Sequence, residues 1–308
     1  MKFEFFKNTL KGFLNIYLNI IFGIISFHKK NKFLSKYFLA KEFYNISKIR
    51  PFQLFSGNNE SYILLSNDFT ISQEVYLNGE FGFSTFLKVK NILGPNFIIN
   101  QFIEIGANIG TVTIPVVKRG FALSAHCFEP SPLNYSLLNA NLALNNLTDN
   151  VTSYNLALGD CSNKDLIFEL SDINSGDHRV RVSDESGVYD EHNRVTISVQ
   201  SERLDKVLPD LFDKYSTLVW IDTQGYEGYI LKGAQNILKN QIPIVVEFWP
   251  YGLQRAGCYS EFKDACLNYS FYYNLSDVSP IKMELNIHSF DELYNSYRHT
   301  EATDLLLI

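Results

Sequence analysis

Apolar positions in the first fifty residues follow a helical rhythm. The stretch "FLNIYLNIIFGIISF", Phe13 to Phe27, is broken only by Asn15, Asn19, Gly23 and Ser26. Those four recur at steps of four, four and three, so a helix gathers them into one seam. Its length is about 22 Å, against roughly 30 Å for a bilayer's hydrocarbon core. The pattern predicts a helix that lies in a membrane interface, or docks its apolar face on protein, rather than a span. Residues 33–50 continue in helical spacing and Pro51 ends them.

From residue 52 to about 100 the pattern is mixed. "SYILLS" and "ISQEVYL" read as short strands, and "FGFSTFLKVKNIL" reads as a helix. From Phe102 onward, apolar runs alternate with helical stretches, the signature of βαβ units and a parallel sheet. Polar sequence from Gly159 to about Val199 interrupts the alternation and predicts a hairpin or loop excursion. "STLVWID" and "IPIVVEF" resume it, and the closing "LLLI" supplies a last edge strand. The division is therefore a basic helical segment (1–50), a mixed lead-in (51–100) and an α/β domain (101–308).

Four predicted parallel strands end in an acid: "FIEIG" in Glu104, "SAHCFEP" in Glu129, "STLVWID" in Asp222 and "IPIVVEF" in Glu247. Ligands of open α/β sheets lie beyond the carboxyl ends of the strands, so these acids converge on one negative crevice. Each alone also fits as a partner for a helix N-terminus. In "EIGANIG", Gly106 and Gly110 let the backbone turn tightly, and Asn108 tolerates the left-handed conformation. The G-x-G-x-x-G pattern of a dinucleotide site is absent, and Glu104 stands where it would repel a pyrophosphate. A cationic, phosphate-free nucleoside matches better, and S-adenosylmethionine is such a molecule. Glu129 then accepts from the ribose hydroxyls.

Charge sharpens the picture. Residues 1–50 carry ten basic side chains against Glu4 and Glu42, while the remainder carries 17 basic against 31 acidic. An acidic body is a poor partner for nucleic acid. The basic, phenylalanine-rich leader suits peripheral contact between residues 1–32 and an anionic membrane. Cysteines at 127, 161, 258 and 266 form no C-x-x-C pair, which argues against zinc and fits a reducing, cytoplasmic setting. No small-residue cleavage site follows the apolar run.

The blocks "FIEIGANIGTVTIP", "HCFEPSPLNYSLLNANLALNN", "YNLALGD" and "WIDTQGYEGYILKGAQNIL" followed by "IPIVVEFWP" occur in order within residues 102–250. Together they resemble the FkbM family of S-adenosylmethionine-dependent methyltransferases. The resemblance implies a class I methyltransferase fold: a seven-stranded, mostly parallel sheet, helices on both faces and one antiparallel strand near the C-terminus. It implies that Glu104, Gly106, Ala107, Asn108 and Gly110 line the methionine end of the cofactor. Glu129, with Pro130 and Asn134, holds the ribose, and Asn155, Leu156 and Ala157 lie near the adenine. Asp222 faces the methyl group. Gln224 stands where many relatives carry Glu, which weakens a metal role for this loop; no metal is expected.

Methyl transfer to a hydroxyl needs in-line alignment and a base. The candidates are Asp222, Glu247 and His178, the last also readable as a solvated loop histidine. "DINSGDHRVRV" reads either as an acceptor-contacting loop, through Asn174, Asp177 and Arg179, or as a hairpin with a Ser-Gly turn. Phe248, Trp249 and Tyr251 either stack on a sugar or belong to the core, as does Trp220. The leading expectation is O-methylation of a saccharide, free or lipid-linked, at the inner face of a membrane. Alternatives are a small natural product as acceptor, a nicotinamide-dependent oxidoreductase, and a binding module that has lost catalysis.

Overall fold

A computed structural model describes residues 32–47, 49–209, 213–297 and 300–308. The predicted interfacial helix at 13–27 lies outside the described residues. Residues up to Pro51 and residues Phe52–Ile308 form two compact units. In the first, Lys32–Ser47 is a helix, as its spacing predicts. Among the described residues no helix is long and apolar enough to cross a membrane.

The second unit opens with an antiparallel hairpin, β1 (Phe52–Ser56) and β2 (Ser61–Leu65), followed by helices Ile71–Asn78 and Phe83–Leu93. "ISQEVYL" is thus a helix, not a strand. Asp68 Oδ1 accepts from the N–H groups of Thr70 (2.8 Å) and Ile71 (3.1 Å), and its Oδ2 accepts from Ser72 (3.3 Å). Gly79 closes the other end in the left-handed conformation. Ile71 and Val75, four apart, face the core.

The main sheet contains β3 (Ile99–Ile105), β4 (Ala122–Phe128), β5 (Val151–Tyr154), β10 (Thr217–Ile221), β11 (Ile244–Phe248), β12 (Phe271–Asn274), β13 (Met283–Glu284) and β14 (Thr303–Leu307). Across the sheet the order is β13-β12-β14-β11-β10-β3-β4-β5. Strands β5, β4, β3, β10 and β11 run parallel, and β14 is antiparallel to both neighbours. The two-residue β13 adds an eighth strand to the seven expected. β14 is also not an edge strand: it sits between β11 and β12, with Leu305, Leu306 and Leu307 all buried. An apolar run with no polar face belongs inside a sheet covered on both sides.

Alternate residues of each central strand feed opposite cores. Ile103, Ile105, Val219, Ile221, Val246 and Leu305 pack on one face. Phe102, Leu218, Trp220, Val245 and Leu306 pack on the other, together with Tyr62, Leu64, Phe83 and Phe86 from the lead-in. The polar excursion forms a second sheet, from β6 (Ala157–Leu158), β7 (Lys164–Leu170), β8 (Arg179–Val180) and β9 (Val195–Glu202), in the order β6-β9-β7-β8. The predicted hairpin is β7 with β8, antiparallel across the Ser175–Gly176 segment, and β9 pairs antiparallel with β7 on its other side.

The edge of β2 not paired with β1 is satisfied by asparagines from helix Pro132–Leu144 and its C-cap. Asn141 Oδ1 accepts from Ile63 N–H at 2.6 Å, and its amide donates to the carbonyls of Ile63 (3.4 Å) and Ile109 (3.0 Å). Asn145 Oδ1 accepts from Ser61 N–H, and its amide donates to Ser61 O. Asn141→Ala leaves buried backbone groups without partners. It is expected to cost at least about 2 kcal/mol in urea unfolding.

Candidate active site

Strand β3 feeds the turn Gly106–Gly110, where the order of the sheet reverses between β3 and β10. Gly106 has φ +90°, and a Cβ there would stand 1.8 Å from the Asp222 carbonyl oxygen. The turn therefore rests directly on the residue that follows β10. Asn108 takes φ +50°, as its sequence context predicts. Gly110, at φ +89°, lies where a Cβ would strike Leu138 and Ile114, so its role is helix packing.

Around this turn lies a cavity of about 80 Å³, partly open to solvent. Glu104, Gly106, Ala107, Asn108, Glu129, Pro130, Leu156, Ala157, Asp222 and His178 line it. Gly110, Asn134 and Asn155 do not, and act from behind. The Asn155 amide donates to the carbonyls of Glu129 (2.9 Å) and Pro130 (3.0 Å). Asn134 donates to Ser175 O at 3.2 Å. The same carbonyl accepts from Asn108 Nδ2 at 2.8 Å, and Ser175 Oγ donates to Asp68 Oδ2 at 2.6 Å. This latch, which brings Ser175 and Gly176 from the excursion to the cavity wall, left no mark in the local sequence pattern. Ile71, Phe81, Phe168, Trp220 and Tyr226 complete the wall and were likewise not singled out as cofactor contacts.

The acids are buried, and they also serve the backbone. Glu104 Oε2 accepts from Thr113 N–H at 3.1 Å and from the Thr113 hydroxyl, anchoring the helix Thr113–Lys118. Burial raises its pKa to about 8 despite those bonds. Glu129 accepts from Ser131 N–H (2.8 Å) and Asn108 N–H (2.9 Å), and burial raises it to about 7. Asp222 and Glu247 are both raised, again chiefly by burial, and Glu247 additionally by the charge of Asp222. Gln224, at φ +57°, donates through Nε2 to Asp222 Oδ1 at 2.7 Å and to each Glu247 oxygen at 3.1 Å.

His178 is not a solvated loop histidine. It is partly buried on the cavity wall, and its Nδ1 accepts from Ser171 N–H at 3.0 Å. Burial and then Arg194 lower its pKa to about 4, so the ring is neutral and its remaining N–H is a donor. Arg179, expected to touch the acceptor, is instead buried among Glu169, Asp177 and Glu191, with Trp249 stacked 4.9 Å from its guanidinium carbon. Phe248 is wholly core.

Beside the cavity runs a wide cleft of about 740 Å³. Asn174, Asp177, Tyr189, Asp190, Asn193, Arg194, Gln224, Glu247 and Trp249 are among the residues that line it. Asp222 faces the cavity and Glu247 the cleft, with Gln224 joining them. Among the described residues no group of three or more acids, histidines or cysteines forms a metal-holding cluster.

Strand order, the antiparallel β14 and a cavity at the switch point define a class I methyltransferase fold. The chain belongs to the methyltransferase FkbM domain family, whose model matches residues 104–278. It is 26% identical over 187 residues to methyltransferase sdnD of Sordaria araneosa, covering 52% of this chain and 71% of that protein. Among solved structures it resembles methyltransferase FkbM from Methylobacillus flagellatus at TM-score 0.40 and 15% identity, over 68% of this chain. The chain spans only 44% of the length of that protein. M. jannaschii TYW2 in complex with AdoMet aligns at TM-score 0.37 and 12% identity, over 84% of each chain. The family match displaces the oxidoreductase alternative.

Two outcomes follow. Gly106→Ala forces a Cβ into Asp222 O at a left-handed backbone position, and should destabilise the fold by at least about 3 kcal/mol in denaturant titration. Glu104, with its pKa raised from 4.5 to about 8, favours the protonated folded state. Stability from this group is complete below the unfolded value and falls as pH rises through about 8. Glu104→Gln should flatten that decline in urea unfolding measured across the same window, and should weaken S-adenosylmethionine binding measured by calorimetry.

Proposed function

We infer that the chain transfers the methyl group of S-adenosylmethionine to a hydroxyl of a sugar, on a glycan or a lipid-linked saccharide. The observation that carries this reading is the Asp222–Gln224–Glu247 link between the cavity at the Gly106 turn and an open cleft. The cavity supplies what a sulfonium nucleoside needs. Buried carboxylates flank the Gly106 turn, Glu129 is available to the ribose, and Leu156, Ala157 and Phe128 give the adenine an apolar wall. The cleft supplies what a sugar needs: an exposed aromatic side chain, Tyr189, backed by the buried Trp249, among amide and carboxylate side chains.

In the transfer, the acceptor oxygen attacks the methyl carbon in line with the departing sulfur, so alignment does most of the work. The hydroxyl's proton passes to a carboxylate. Glu247, on the cleft wall, is that base, and Asp222 supports the donor end. His178 serves as a neutral hydrogen-bond donor on the cavity wall. The basic residues of 1–32 support a site of action at the cytoplasmic face of an anionic membrane, where a lipid-linked acceptor is concentrated.

The test is to incubate the full chain with methyl-labelled S-adenosylmethionine and, separately, purified glycans, glycolipids and hydroxylated small molecules. Label in O-methyl sugars, found by mass spectrometry after hydrolysis, supports the reading. Label confined to the small molecules overturns the sugar assignment. Glu247→Gln should lower turnover by roughly 100-fold or more, the usual range for losing a general base, while S-adenosylhomocysteine affinity changes little.

A further inference from the structure

We propose that Gln224 is a positioning residue that couples the two sides of the site. Arrival of the sulfonium beside Asp222 drives a proton from the Asp222–Glu247 pair and leaves Glu247 ready to accept the acceptor's proton. This rests on reading the cavity as an S-adenosylmethionine site, and goes beyond it by assigning a role to the one residue of the loop that departs from the family pattern.

The geometry is specific. A primary amide has two hydrogens and no charge, so one Gln224 nitrogen can bond an oxygen of each acid without neutralising either. It reaches Asp222 on the cavity side at 2.7 Å and Glu247 on the cleft side at 3.1 Å. A left-handed glutamine is uncommon and persists where its surroundings fix it.

The neighbours are acids from every side. Glu227 comes from the helix after β10 and accepts from Thr223 and Gly225 N–H groups. Asp304 stands opposite Glu247 in the β11–β14 register. Asp177 approaches from the excursion and Glu104 from β3, both felt electrostatically with Asp222. Among the described residues, Lys or Arg pairs with Asp177 but with none of Asp222, Glu227, Glu247 and Asp304. Two acids sharing one neutral donor, ringed by further acids, retain a proton between them. Burial acts in the same direction on Asp222, Glu247, Glu227 and Asp304.

A sulfonium reverses that balance, because a cation beside Asp222 favours the ionised pair. The base is thus armed when the methyl donor is present. During transfer the acceptor oxygen's lone pair forms the O–C bond, the C–S pair returns to sulfur, and the hydroxyl proton goes to Glu247. Sulfur is now neutral, so the protonated pair is again the favoured state.

The experiment titrates the full chain with S-adenosylmethionine and with S-adenosylhomocysteine by calorimetry, in buffers of different ionisation enthalpy. The two ligands share every other charged group, so their difference isolates the sulfonium. More protons should be released with S-adenosylmethionine. Its affinity relative to S-adenosylhomocysteine should rise with pH, approaching about tenfold per unit for one full proton. Glu247→Gln should abolish the excess release, and Gln224→Leu should at least halve it.

Equal proton release by the two ligands overturns the proposal. So does an excess that survives in Glu247→Gln. Retained S-adenosylhomocysteine binding shows that a variant has folded. If only Glu247→Gln loses it, Gln224→Leu decides. If both lose it, the wild-type difference decides. Binding of neither ligand to the wild type fails the cofactor reading itself.

Discussion

Everything in the site depends on a set of carboxylates buried at the carboxyl ends of parallel strands with no lysine or arginine paired to them among the described residues. Taking an ionised carboxylate out of water is costly, and a protein commonly answers by keeping the group protonated. Here that answer operates at Glu104, Glu129, Asp222 and Glu247, all raised by burial, and at Glu227 and Asp304 behind them. The site is a cluster of carboxyl groups whose ionisation burial opposes. A cationic ligand completes it electrostatically, whereas a pyrophosphate would have to be buried against it.

The same acids hold the backbone that forms the site. Glu104 anchors the first turn of the helix beginning at Thr113, and Glu129 binds the amides of Asn108 and Ser131. Gly106 leaves no room between its own backbone and Asp222 O. Binding chemistry and fold therefore share atoms, and the cavity shape is set by the junction of β3, β4 and β10. The excursion is fastened to this junction by Ser175, through Asn108, Asn134 and Asp68. A polar insertion that sequence alone leaves as either hairpin or acceptor loop forms a hairpin of β7 and β8 with β9 alongside, and its residues 174–178 line the cavity and the cleft.

The parts legible in sequence are those whose physics is local. Strands ending in acids, the Gly-x-Asn-x-Gly turn and the helix "SPLNYSLLNANLAL" each announce themselves within a dozen residues. Misreadings arise where distant partners decide. "ISQEVYL" contains strand-like residues, but Asp68 before it and Asn-Gly after it make it a helix. "LLLI" reads as an edge until Phe271–Asn274 is seen to lie beyond it. His178 reads as solvated because its burial comes from packing against Phe168 and its tautomer from Ser171, neither a spacing signal. Gln224 stands out in sequence only as a missing charge; that its amide spans two acids 25 residues apart requires the β10–β11 pairing.

That missing charge repays a closer electrostatic comparison. A glutamate at 224 would place a third buried carboxylate between Asp222 and Glu247, and would need either a cation or a second proton to be tolerated. A glutamine supplies the donor that two carboxylates lack and adds no charge. The pair can then change its protonation state as the ligand's charge changes, because nothing else nearby is bound to compensate. A reaction that begins with a sulfonium and ends with a thioether changes that charge by one unit. The proton lost by the acceptor is the one the pair is disposed to regain once the cation is gone. Donor charge and acceptor proton are thereby exchanged across a single amide.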